Sequence, residues 1–576
     1  MTRFQTSSAA APEKSSRHFL PAETNFNSWD SLKPLYENLK SRSVENQREL
    51  EKWLKDLSEL DAAVSEHLGW IYIRMTCNTQ DKSASDAYAH FVGEIQPIIA
   101  EYDDAFNHKL LDNKFRKSLP VNYSIHLASI QNQVKIFRKE NIPLIADLTV
   151  REQKYGEIAG EMTVEVNGKT LTLQQAANFL RQPDRELREN VYFKIVSRRL
   201  TDRSKLDELF NELIQIRNKI SLNAGFKNYR DYKFVELDRF DYTPVDCTHF
   251  HDSIQQQIVP IVDAMLKKRR EELKLDSLKP WDLEVDTSGK PELKPFKTGH
   301  ELTKKTIECF YAIDSYFGKV VETLHSMHHL DLDSRIGKAP GGYNYPLYET
   351  GVPFIFMNSS GSMQDVVTMV HEGGHAIHSM LTHSLEFVGF KELPSEIAEL
   401  ASMSMELISM EHWNYFFDDE DELRRAKREQ LEGVLEALPW IACIDKFQHW
   451  IYLNPGHSPV ERTRAWLEIY SAFSSSAIDW SNAEQAREAL WQKQLHLFEV
   501  PFYYIEYGMA QLGAIAVWRN YKANPKNAIN QYKQALSLGS TRSISEVYTT
   551  AGIRFDFSES YIKELADFVK GELEKV

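Results

Sequence analysis

The apolar positions of this chain recur mostly at helical spacing. Leu32, Leu35, Tyr36 and Leu39 form one stripe and Leu50, Trp53, Leu54, Leu57 and Leu60 another, with Lys and Glu filling the opposite faces. The helical pattern holds from Trp29 to about Asn141. It is interrupted from Met162 to Leu173, where polar and apolar residues alternate on either side of Asn167-Gly168, a pair that favours a tight hairpin. Helices resume from about Gln174 to Ile220, break over Gly225 to Tyr232, and return between Pro244 and Pro260. Residues 275–300, with Pro280, Pro291 and Pro295, read as a loop or short crossing. Leu302 to Leu330 is helical again. Tyr343 to Tyr348 and Val352 to Met357 read as two short strands, with Phe354 to Met357 an edge able to pair with an extended peptide. A helix is predicted over about 362–384, and beyond Glu406 the chain reads as helical to its end.

Composition narrows the class. The chain has 576 residues, 42% hydrophobic and 26% charged, which is ordinary for a soluble globular protein. Its division is read as a flexible lead-in over 1–24, a helical N-terminal lobe over 25–150, and a region over 151–576 that holds the chemistry. The net charge of −15 argues against nucleic acid as a partner, because phosphate binding needs a basic face. Cys77, Cys247, Cys309 and Cys443 lie far apart with no Cys-x-x-Cys pair, which disfavours a disulfide framework and fits a reducing compartment. Residues 1–20 are rich in Ser and Ala and lack an apolar core, so no signal peptide and no membrane span is expected, and the cytoplasm is the expected location.

Candidate chemistry concentrates in Val370-His371-Glu372-Gly373-Gly374-His375-Ala376. On a helix, residues four apart lie one above the other, so His371 and His375 can offer two imidazole nitrogens to one metal ion. Glu372 then sits within reach of a water beside that ion. His-Glu-x-x-His on a helix is the signature of zinc peptidases. In a chain of this composition the pattern arises by chance roughly once in twenty, so the helical context has to support it. It does: Ser362 and Asp365 form a capping-box pattern, and Val366, Met369, Val370, Ala376, Ile377, Met380 and Leu381 recur at helical spacing. The pair Gly373-Gly374 costs such a helix roughly 1 kcal/mol per glycine, which suggests a close approach by another part of the chain.

A zinc site of this kind needs a third ligand. His378 shares the face of His375. Downstream, Leu393 to Glu406 reads as a second helix with Pro394 in its first turn, and Glu396, Glu399 and Glu406 fall on one of its faces. Carboxylates on a face rich in Met, Leu and Ala need a partner, and a metal cation is one. Spacing alone does not choose among them. The plain alternative is a solvated acidic stripe.

The stretch His371 to Glu406 resembles the thimet oligopeptidase and oligoendopeptidase F family of zinc metallopeptidases, closest to the oligoendopeptidase F type. The family has a His-Glu-x-Gly-His helix, then a glutamate ligand about 25 residues on, followed by small residues and by another glutamate seven positions later. Here Glu399 precedes Leu400-Ala401-Ser402 and stands seven before Glu406. The resemblance thus implies one Zn2+ held by His371, His375 and Glu399, with Glu372 as general base and Glu406 or Asp365 orienting a ligating histidine. It extends to Arg335-Ile336-Gly337-Lys338, which in the family forms a mobile loop near substrate. It extends also to the tyrosine-rich stretch Pro501 to Gln511, read as a helix starting at Pro501. There Tyr503, Tyr504 or Tyr507, with His496 upstream, is implied as the donor to the oxyanion of the attacked carbonyl; aromatic core packing is the plain alternative.

The implied fold is mainly α: two helical lobes around a deep channel, with a small β-sheet beside the zinc-binding helix. The implied function is an endopeptidase cutting internal bonds of short peptides, with no nucleic-acid or membrane partner. Two other readings differ from it. A metallocarboxypeptidase on a similar scaffold would need a cation for the substrate's terminal carboxylate, such as Arg335 or Arg554. A non-catalytic helical binding protein would not need intact His371, Glu372, His375 and Glu399.

Overall fold

The two N-terminal stripes become helices Trp29–Ser41 and Gln47–Cys77. The first buries Leu32, Tyr36 and Leu39; the second buries Leu50, Trp53, Leu54 and Leu60, with Leu35 and Leu57 at the margin of the same core. Asn46 starts the second helix by accepting from the Glu49 backbone N–H at 3.0 Å. A computed structural model describes residues 17–335 and 337–576. Of the expected lead-in, residues 1–16 lie outside the described residues. From Arg17 on the chain is held rather than loose. Arg17 pairs with Glu349 at 2.6 Å, the backbone N–H groups of His18, Phe19 and Leu20 donate to Glu59, and Leu20 is buried. Ionic and backbone bonds tie down a segment whose composition alone reads as flexible.

Strands β1 (Thr163–Val166) and β2 (Lys169–Thr172) pair antiparallel across Asn167 and Gly168. Both turn residues have positive φ, 53° and 73°, the conformation a two-residue type I′ turn requires. The run read as one helix from Leu302 to Leu330 is three elements: helices Gly299–Ile313 and Ser315–Ser326, then strand β3 (Leu330–Asp333). Asp314 breaks the run. Its backbone is extended, and its carboxylate accepts from the Tyr316 N–H at 2.8 Å, capping the second helix.

Strands β4 (Tyr343–Tyr345) and β5 (Phe354–Ser359) complete a sheet of order β3-β5-β4. The expectation that Phe354 to Met357 forms an edge is corrected. β5 runs parallel to β3, with Ile355 opposite Leu330, and antiparallel to β4, with Ile355 opposite Asn344. Its residues Phe354, Ile355, Phe356 and Met357 are all buried, as a central strand demands. The outer strands of this sheet are β3 and β4. Ile73 packs with Leu347, Phe354 and Phe356, so the helix Gln47–Cys77 shares a core with this sheet.

That shared core changes the domain division. By compactness the chain does not part at one point near residue 150. One unit gathers the chain up to Lys135, Lys294–Lys427 and Gly513–Phe555, and the other gathers Ile136–Leu293, Arg428–Leu512 and Asp556–Val576. The N-terminal helices belong with the first because Leu32, Leu50 and Trp53 also share a core with Phe387 and Phe390.

Within the first unit, β5 leads into the helix Met363–Thr382, hereafter the histidine helix, which the glutamate helix Ser395–Met410 follows. Ser362 caps the histidine helix: its hydroxyl accepts from the Asp365 N–H at 3.3 Å, and the Asp365 carboxylate accepts from the Ser362 N–H at 2.8 Å. The glycine pair is where the helix is approached. A Cβ on Gly373 would stand 2.7 Å from the ring of Phe310, and one on Gly374 would stand 2.6 Å from Ser402 Cα and 2.8 Å from the Ala401 carbonyl oxygen. The second clash is with backbone, which cannot rotate away. Gly374→Ala is therefore expected to lower the thermal unfolding midpoint, with an overpacking cost of about 1–3 kcal/mol. Gly433→Ala, at an exposed helical glycine with nothing within 4 Å of the added Cβ, should leave the midpoint unchanged or raise it. Equal midpoints for the two variants would show that the two helices do not meet this closely.

Candidate metal centre

The helix spacing that aligns His371 and His375 sets their ring centroids 4.9 Å apart. Glu399, one turn into the glutamate helix, reaches both. Its Oε2 lies 3.3 Å from His371 Nε2 and 3.7 Å from His375 Nε2. The three residues can each offer one ligand atom, all within 4.8 Å of one another. For zinc bonds of about 2.0–2.1 Å, a tetrahedron separates neighbouring ligand atoms by roughly 3.3–3.4 Å. The 3.3 Å spacing matches such an edge and the 3.7 Å spacing exceeds one by about 0.3 Å, so this donor set fits zinc with little movement.

Supporting groups fix the three. His371 Nδ1 donates to Glu406 Oε1 at 2.7 Å, which leaves Nε2 for the metal. The Ser402 hydroxyl donates to Glu399 Oε2 at 3.0 Å. Tyr532 holds the Ala401 carbonyl at 2.7 Å, steadying the turn of helix that carries Glu399. Ser402 and Tyr532 were not singled out by the sequence, although the small residues after Glu399 were a signal for the first. Asp365 is not free to orient a histidine: its carboxylate accepts from the Ser360 and Ser362 N–H groups, both at 2.8 Å. Of the two candidates for that role, only Glu406 meets a ligating imidazole.

The electrostatics call for a cation at this point. Burial by itself lowers the His371 pKa, but Glu399 and Glu406, one at each ring nitrogen, raise it well above the ordinary value. Burial likewise acts to raise Glu399, yet His375, His371 and Ser402 outweigh it and hold the carboxyl down at about 2. Burial pushes Glu372 up to about 7, with Glu399 and Glu406 adding to the rise and His371 opposing it. Glu372 Oε2 is buried without a hydrogen-bond partner among the described residues. A buried carboxylate oxygen of that kind is costly unless something occupies it. Asn344 of β4 stands 3.5 Å from the Glu372 carbonyl, so the margin of the sheet lies alongside this helix.

Other sequence candidates fall elsewhere. His378 is buried and held neutral, its pKa pushed down to about 3 by burial, and it is not one of the three converging residues. Glu396 is buried but also stands outside the set. Arg335 is bound by Asp331 at 2.6 and 2.7 Å, and Lys338 reaches the same carboxylate at 2.9 Å.

Tyr503, Tyr504, Tyr507 and His496 belong to the second unit. They form one ring cluster, with His496 4.8 Å from Tyr504, 5.7 Å from Tyr507 and 6.1 Å from Tyr503 between centroids. The helix there is Tyr504–Ala523 and does not start at Pro501. Phe502 interrupts it with φ of 67°, its N–H donating to Gln448 at 2.6 Å and its carbonyl accepting from Arg239. Among the described residues no helix is long and apolar enough to cross a membrane.

Comparison with known proteins bears on the family and the fold. Residues 178–567 match the family described as Peptidase family M3, and residues 19–137 match the Peptidase M3 N-terminal domain. The chromosomal oligoendopeptidase F of Lactococcus lactis subsp. cremoris is 23% identical over 324 residues, 56% of this chain and 53% of that protein. The oligopeptidase PepF of Bacillus subtilis is 21% identical, over 67% of this chain and 57% of its own. The chain thus spans little more than half the length of these relatives. Among solved structures, Pz peptidase A with an inhibitor superposes at a TM-score of 0.90 with 24% identity, covering 97% of this chain and 99% of its own. Oligoendopeptidase F from Enterococcus faecium superposes at 0.64 with 14% identity, covering 94% and 96%. These likenesses establish the fold, and the match over 178–567, more than half of the sequence, establishes that the chain belongs to peptidase family M3.

Proposed function

We propose that this protein is a zinc-dependent endopeptidase that hydrolyses internal bonds of short peptides. One observation carries the reading: His371, His375 and Glu399 bring three ligand atoms within 4.8 Å of one another beside a buried Glu372 with an unpartnered oxygen. Family membership supports a peptide-bond hydrolase, and the names of the relatives support oligopeptides as substrates.

One zinc ion per chain, held by His371, His375 and Glu399, would supply Lewis acidity towards water and the scissile carbonyl. Glu372 takes the proton of the attacking water and passes it to the leaving amine. A carboxyl near neutral pKa suits transfer in both directions. Glu406 holds His371 in one tautomer and orientation. The margin of the sheet at β4, rather than the enclosed β5, is the strand available to pair with an extended peptide. The oxyanion donor remains assigned to Tyr503, Tyr504 or Tyr507, with His496 assisting, on sequence resemblance alone.

Glu372→Gln keeps the shape of the side chain and loses the base. Zinc content should stay normal while turnover falls at least about a hundredfold; near-normal turnover would overturn the assignment of the base. The three glutamates should separate on dialysis against a weak chelator. Glu399→Ala should lose metal, Glu406→Ala should bind it about 10–100-fold more weakly, and Glu396→Ala should keep it. Metal loss from Glu396→Ala with Glu399→Ala unaffected would move the ligand by one turn. Quenched peptides of about 5 to 15 residues should be cut internally while folded proteins resist. Release of C-terminal residues alone would favour a carboxypeptidase.

A further inference from the structure

The second unit contains another convergence of metal-binding side chains, sharing no residue with the first. The helix Pro244–Gln257 presents Cys247 and His251, four residues apart, and the helix Glu420–Leu453 presents Asp445 and His449, also four apart. Each pair lies on one helix face, and the two faces meet. Cys247, Asp445 and His449 can each offer one ligand atom within 4.8 Å of one another. His251 Nε2 lies 2.7 Å from Asp445 Oδ2, and His449 Nε2 lies 3.2 Å from the same oxygen. All four are buried: Cys247 and Asp445 at 0% exposure, His251 at 1% and His449 at 8%.

Hydrogen bonding accounts for only part of the cluster, through the bond between His251 Nε2 and Asp445 Oδ2. Asp445 Oδ1 and His449 Nε2 are buried with no hydrogen-bond partner among the described residues, although His449 Nε2 stands so close to the carboxylate. A contact of 3.2 Å out of hydrogen-bond alignment is what two ligands of one ion show, since tetrahedral edges are roughly 3.3–3.4 Å for nitrogen and oxygen donors. The nearby cations are engaged: Lys446 pairs with Asp252 and Arg239 with Glu506. Rings of Phe234 and Phe502 pack on His449, and that of Phe250 on His251, with centroids 5.4–6.3 Å apart. An apolar wall of this kind suits a closed, structural ion rather than one open to substrate.

We propose that Cys247, Asp445 and His449 form a second zinc site that clasps these two helices together, with His251 holding the Asp445 carboxylate. Its ligands are one thiolate, one imidazole and one carboxylate. The thiolate selects zinc over magnesium or calcium. The site is structural, so it does not rest on the proposed peptidase activity.

The thiolate makes it separable by experiment. The centre on the histidine helix has only nitrogen and oxygen donors, so it cannot give thiolate-to-cobalt charge-transfer absorption. A full-length protein carrying His371→Ala and His375→Ala, loaded with Co2+ in place of zinc, should bind about one cobalt per chain. It should show that near-ultraviolet band. Adding Cys247→Ser should abolish it. Asp445→Asn, which keeps the volume of the side chain, should weaken cobalt binding at least tenfold. Should the Cys247→Ser chain not fold by circular dichroism, the parent protein still decides: a band that a chelator bleaches, with a lowered thermal midpoint, supports the site. No band in the folded parent, or a band that survives in folded Cys247→Ser, overturns it.

Discussion

The candidate metal centre depends on one close approach. The histidine helix and the glutamate helix come so near at Gly374 and Ser402 that no side chain fits between them. That proximity lets Glu399 touch imidazoles on another helix, and lets Glu406 reach the far nitrogen of His371 about two turns further along. A methyl group at Gly374 would separate the helices by more than the tolerance of a metal bond, which is a few tenths of an ångström. Glycine is a poor helix former, and its presence twice in succession marks a place where packing has overruled propensity.

The same proximity explains the charges. Two carboxylates and two imidazoles sit in a region from which most water is gone, so each senses the others strongly. Burial would protonate all the carboxyls. The imidazoles keep Glu399 ionised, while Glu372, without an imidazole on its own oxygens, is pushed towards neutrality. Neighbouring glutamates thereby differ in acidity through position rather than chemistry: Glu399 is held down at about 2 and Glu372 is pushed up to about 7.

How much of this was legible in the sequence follows the range of the interaction. His371, Glu372 and His375 share one helix, and the spacing of three or four residues that aligns them is written locally, as is the Asn167-Gly168 turn. Glu399 was ambiguous because Glu396 and Glu406 share its helix face, and the choice depends on where another helix lies. Family resemblance supplied that long-range fact. The misreadings have the same origin. β5 is enclosed because the strand order places β3 beside it, and β3 itself, four residues behind a helix, continues the helical pattern of the sequence. Cys247 with His251 and Asp445 with His449 each had helical spacing, but they lie 194 residues apart between His251 and Asp445, and nothing local announces that they meet.

The metal-bearing unit is assembled from three stretches of chain, the last ending at Phe555. Tyr532, which steadies the Ala401 carbonyl, and Tyr548, whose hydroxyl donates to the Glu396 carbonyl at 3.3 Å, both come from that last stretch. A nascent chain emerging from the ribosome thus carries His371, His375 and Glu399 long before the groups that hold their helices are synthesised. Contacts of such long sequence separation form late and slowly. Synthesis order thereby acts as a timer: the glutamate helix gains its last supports only when nearly the whole polypeptide has been made.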